Sequence, residues 1–155
     1  MGFSGRVVLA RGYAWAAGGS VSGADVLDRT EFAGGWTAVT FDGDPRLPLA
    51  RLVAATAAPA LSAFVMDSDC ADVTAATPAG LSWHAYLHED MALSYGAPTL
   101  AGSADDVLDL AMAWAIEAGR TPDRNALAAA LATNEVFVED TLDSLFAALG
   151  FVGAQ

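Results

Sequence analysis

Both histidines of the chain, its single cysteine and a cluster of aspartates fall within one stretch, Leu61 to Asp90, read as LSAFVMDSDCADVTAATPAGLSWHAYLHED. Three chemistries have residue types that fit. The first is metal binding: Asp67, Asp69 and Asp72, at i, i+2 and i+5, offer carboxylates, and His84 and His88 offer imidazoles. The spacing departs from a calcium loop, because Ala71 stands at position 5 and Asp72 at position 6, where glycine is required. It departs from zinc patterns too. On a strand, His84 and His88 lie about 13 Å apart at roughly 3.3 Å per residue, too far to share one ion directly. The second chemistry is nucleophilic, with Cys70 activated by a histidine and an aspartate. Against it stands the commoner role of a lone cysteine as a small buried hydrophobe. The third is a carboxylate pair of the glycosidase kind, uninformative in a chain with nineteen acids. Cys70, His84, Tyr86 and His88 form a polar patch, and the acids beside it are more simply explained as solvated turn formers. No catalytic residue and no cofactor follows from these patterns.

The elements that must position this patch read as three short strands joined by two turns. In Ser82 to His88, Trp83, Ala85 and Leu87 alternate with His84, Tyr86 and His88, the pattern of a strand with one buried face, so both histidines are expected on the same side. Ala71, Val73 and Ala75 alternate with Asp72 and Thr74 on the preceding strand. A turn centred near Ala79 would set Thr74 against His84 and Asp72 against Tyr86, and a slip of one residue would flip the faces. Upstream, Phe3 to Arg11 reads as a first strand around Val7, Val8 and Leu9. Gly12 to Gly35 is expected to be a long excursion with at most one helical turn, broken by Gly18-Gly19 and Gly34-Gly35. Within it, GGSVSG lacks the Lys-Ser/Thr pair of a phosphate loop and reads as a surface loop. Trp36 to Phe41 is a strand with bulky residues on both faces, placed inside the sheet. Leu49, Leu52, Val53 and Thr56 predict a helix lying on the sheet and ended by Pro59, with Arg51 on its wet side.

The C-terminal part reads as helical, beyond a linker at Ser94 to Gly102. Ser103 caps a helix to about Ala118, with Asp105 and Asp106 in its first turn and Leu108, Ala111, Met112 and Ala115 as the core face. Leu110 and Trp114 fall on its flank, either covered by a neighbouring helix or exposed as a docking patch. Thr121 is expected to cap a second helix, with Pro122 at its first position. The last helix, Asn134 to Leu149, carries a stripe of Val138, Leu142, Leu145 and Leu149. Its wet face is Glu135, Glu139, Asp140 and Asp143, with Phe137 and Phe146 at the margins. Helix-turn-helix DNA reading is excluded by charge: Ala101 to Gln155 holds nine acids against two arginines.

Composition bounds the rest. The 155 residues carry a net charge of -12, which repels nucleic acid and anionic lipid. All seven cations are arginine. Without lysine there can be no Schiff base, phosphate-loop lysine or Ser-Lys pair. One cysteine rules out an internal disulfide framework, and MGFSGRVVLARG lacks the apolar stretch of a signal peptide, which makes a reduced cytoplasmic setting the default. No apolar run is long enough to span a membrane.

Four segments, MGFSGRVVLARG, VMDSDCADV, SWHAYLHED and VFVEDTLDSLFAALGF, resemble a group of small acidic hypothetical proteins typical of high-GC bacteria, and the similarity covers most of the chain. The resemblance implies an independent soluble protein and carries no activity or functional residues.

The expected fold is α+β: an antiparallel sheet of about five strands with one helix packed on it, and a C-terminal three-helix part. It is expected to be a single domain over 1–155, with 1–93 mainly sheet plus one helix and 103–150 helical. The expected function is a non-enzymatic acidic protein-binding module, inhibitor-like or chaperone-like, that engages a basic protein through an acidic face flanked by Leu110, Trp114 and Phe146. The alternative is a small metal-dependent enzyme or small-molecule binder using the Asp67 to His88 patch.

Overall fold

The computed structural model describes residues 2–17 and 24–153, and the GGSVSG run at 18–23 lies outside them. The elements in chain order are β1 (Gly5–Arg11), α1 (Ala14–Ala17), β2 (Asp25–Phe32), β3 (Trp36–Asp42), α2 (Leu49–Thr56), β4 (Ala60–Met66), β5 (Cys70–Ala76), β6 (Ser82–Leu87), α3 (Glu89–Ser94), α4 (Ala104–Glu117), α5 (Arg124–Ala132) and α6 (Val138–Ala148). The fold is α+β. Among the described residues the strands form one six-stranded sheet in the order β2-β3-β1-β4-β5-β6, with every pairing antiparallel.

The strand missing from the sequence reading is β2, DVLDRTEF. It has no apolar alternation to reveal it, since Asp25 to Glu31 are all exposed. What forms it is the turn that follows. Gly34 and Gly35 both adopt positive φ, 86° and 81°, the conformation that folds two strands into a tight hairpin. The Gly-Gly pair is thus a hairpin turn and not merely a breaker. Arg120 holds that turn from the helical side, donating to the Ala33 carbonyl at 2.8 Å while its guanidinium lies over Phe151.

Both faces of the sheet centre are covered, which explains the continuous apolar run of β1. On one face Leu9, Leu61, Val73, Trp83 and Leu87 pack against Trp114, Leu127, Leu142 and Leu145 from α4, α5 and α6. The three C-terminal helices therefore lie on the sheet and supply the larger core, where only one helix was expected to pack on it. On the other face Val8, Val39, Phe41 and Ala60 meet Leu52 and Val53 of α2, the helix expected there, with Trp15 of α1. Ser103 caps α4 in a full capping box with Asp106. The cap of α5 is Asp123, which accepts from Ala126 N, and not Thr121. The short helix α3 fills part of the stretch before the linker.

Candidate functional site

The hairpin of β5 and β6 has the expected register, Thr74 opposite His84 and Asp72 opposite Tyr86. A ring nitrogen of His84 bonds to the Asp72 carboxylate on the exposed sheet surface, and Tyr86 packs edge-on against the imidazole, ring centroids 5.5 Å apart. Among the described residues no third side chain hydrogen-bonds to His84.

His88 parts from His84. Its φ of 57° turns it out of the strand, and its ring, 3% exposed, is locked between three elements. The Glu135 N–H donates to Nε2 at 3.2 Å, which makes Nε2 an acceptor and leaves the proton on Nδ1, donated to the Asp69 carbonyl at 2.8 Å. The ring is a structural pin. The two histidines do not share a side, because the alternation that predicted it ends where the backbone turns left-handed.

Cys70 is buried beside Tyr86 and Ala92, under α3. Burial, and then the charges of Asp69 and Asp72, push its thiol pKa up, the opposite of what an activated nucleophile needs. The phenol of Tyr86 donates to the Pro98 carbonyl at 2.8 Å, and its pKa is raised by desolvation and the nearby Asp72 and Glu89. The three aspartates go three ways. Asp67 accepts from Gly2 N at 2.8 Å, Asp69 from the Tyr95 hydroxyl, and Asp72 bonds to His84. The bond to Asp69, the largest cause, pushes the Tyr95 pKa up to about 12. Among the described residues no group of three or more His, Cys, Asp or Glu is placed to hold a metal ion.

The docking surface read at Leu110, Trp114 and Phe146 is corrected by burial. Trp114 is fully enclosed, with its indole N–H donating to the Ala76 carbonyl at 3.0 Å, and Phe146 is 4% exposed. Only Leu110 reaches the surface. The α4 flank is covered by the sheet and by Phe151, 6.0 Å between ring centroids, which no helical wheel includes.

A different concavity collects both charge and apolar surface. A cleft of about 580 Å³ opens between α6 and the β1-β3-β2 surface, bridged where Phe146 of α6 meets Phe32 of β2 edge-on. Val7, Ala38, Phe32, Leu142 and Phe146 line it, and Asp28, Glu139 and Asp143 are its charged groups. Among the described residues no basic side chain lines it. Glu139 sits in the first turn of α6, where the helix dipole favours an acid, and its Oε2 accepts from Ser68 Oγ at 2.8 Å. Its Oε1 is buried with no partner. Burial, then the charges of Asp140 and Glu139, raise the Asp143 pKa. The volume falls in the range of small-ligand and anchor-side-chain sites. An apolar cleft whose charges are all carboxylates suits a group that is cationic at one end and apolar along its stem.

Glu139 and Asp143 read from the sequence only as wet-face acids. Their i, i+4 spacing beside Leu142 and Phe146 was the available signal. Asp28 had none, since its strand was not recognised. No family model, curated relative or solved structure matches the chain.

Proposed function

We propose that this protein is a non-enzymatic acidic binding module, and that the cleft between β2 and α6 takes a basic, partly apolar segment of another protein. The observation that supports this reading is the cleft itself, apolar in its floor and carrying three carboxylates without a counter-cation. One carboxylate oxygen of Glu139 is buried unpaired, and Asp143 is held under repulsion from its neighbours. A guanidinium placed beside Asp143 and Glu139 offsets the repulsion among the carboxylates there. Arginine suits such a place better than lysine because it is less strongly hydrated and offers its donors in a fixed fork. The net charge of -12 steers a basic partner toward the surface, so association is fast and salt-sensitive.

The test is titration with a peptide that combines arginine and valine, at low and high salt. Binding that weakens by about tenfold or more in salt, and again in Asp28→Asn and Asp143→Asn, supports the reading. Absence of binding at low salt removes it.

A further inference from the structure

The sheet edge that borders this cleft is open. β2 pairs with β3 on one side, and Asp25 to Glu31 are exposed along its length. Among the described residues its outer side carries a single bridge, Phe32 to Gly153, accompanied by the Ala33 N–H donating to the Val152 carbonyl at 2.8 Å. The edge therefore already accepts the first residues of an antiparallel neighbour, and among the described residues no partner pairs with it from Glu31 back to Asp25.

Resting on the binding reading above, we propose that the basic partner docks as an extended segment added as a seventh strand alongside β2. An open edge is ordinarily an aggregation hazard, guarded by charge and irregularity. Here the guard has one dominant sign. Asp25, Asp28 and Glu31 stand on the strand, a bulge falls between Val26 and Asp28, and the one cation, Arg29, is occupied by the Tyr13 ring at 4.4 Å and by Glu31 at 3.4 Å. Cross-strand side chains lie about 5 Å apart, so a second copy of this acidic chain is repelled at that edge while a basic strand is attracted. The pleat gives the other half of the argument. Asp28, Thr30 and Phe32 line the cleft, so an added strand continues that wall and turns every second side chain toward the same side. Main-chain bonds to β2 hold the segment, and the alternate cationic side chains facing Asp28 select it.

The probe is a capped peptide of eight residues, the length of β2, alternating arginine and valine. Two further versions are N-methylated, one at every arginine and one at every valine. Successive amides of a strand point to opposite edges, so strand addition predicts that one methylated peptide loses affinity by about tenfold or more while the other stays within about twofold of the parent. Alternate amides of β2 should also exchange with deuterium more slowly when the parent peptide is bound. If both methylated peptides bind like the parent, or both lose affinity alike, the strand-addition proposal is overturned and the cleft reading stands on the parent's salt-sensitive binding. If the parent does not bind at low salt, both fall.

Discussion

The Thr141 hydroxyl and His88 Nε2 lie 2.7 Å apart, joining α6 to the end of β6 across 53 residues of sequence. The same imidazole holds the Asp69 carbonyl and the Glu135 N–H, so three elements depend on one ring. Replacing His88 with Ala leaves all three groups without their partner and opens a void. The expected cost is about 3 kcal/mol, measured by urea unfolding, and Thr141→Val, which removes a single donor, should cost about 1 kcal/mol. A loss below that smaller figure for His88→Ala would show that the pin carries no load.

Cys70 should behave as a protected thiol. It is 3% exposed, and its pKa is raised by burial and two neighbouring acids. Iodoacetamide at neutral pH is expected to label the native protein far more slowly than the urea-unfolded chain, with the rate following global unfolding. Rapid native labelling would restore the case for a reactive cysteine.

Asp143 predicts a pH effect of definite sign. A carboxyl whose folded pKa exceeds its unfolded value binds protons more readily in the folded state, so ionising it costs stability. That cost is absent below the ordinary carboxylate range, grows as pH rises between the two values, and is constant above the raised one. Asp143→Asn should therefore match the parent in acid and be slightly more stable at neutral pH, by no more than about 0.5 kcal/mol because the side chain is exposed. Urea midpoints across that pH range check it. A variant that gains stability in acid would reverse the assignment.

Trp114 and Leu110 separate core from surface on one helix. Trp114→Ala removes a fully enclosed indole and its bond to Ala76, for an expected loss of about 4 kcal/mol, whereas Leu110→Ala should cost under about 1 kcal/mol. Equal effects on thermal or urea unfolding would contradict the burial described.

The meander β4-β5-β6 and its register were legible because alternation over Ala71 to Leu87 leaves one way to bury Val73, Trp83 and Leu87 together. Helix α2, the Ser103 cap and the stripe of α6 were legible for the same reason, as local periodicity and capping chemistry. What escaped was non-local. β2 is held by main-chain pairing and a glycine turn, with little side-chain burial. The enclosure of Trp114 and Phe146 depends on Phe151, Phe32 and the sheet, none of which lies on their helices' own wheels. The candidate cleft combines a strand without a hydrophobic pattern and a helix face read as solvent, so its three acids could not be assembled from spacing alone.

Strand order gives β1 a further consequence. It pairs with β3 on one side and β4 on the other, so residues 5–11 are the seam between two ribbons that each close through their own short turns. Neither ribbon can complete the sheet alone. The two form a continuous surface only through residues 5–11, so every main-chain link within the sheet between the β2-β3 ribbon and the β4-β5-β6 ribbon runs through this one strand.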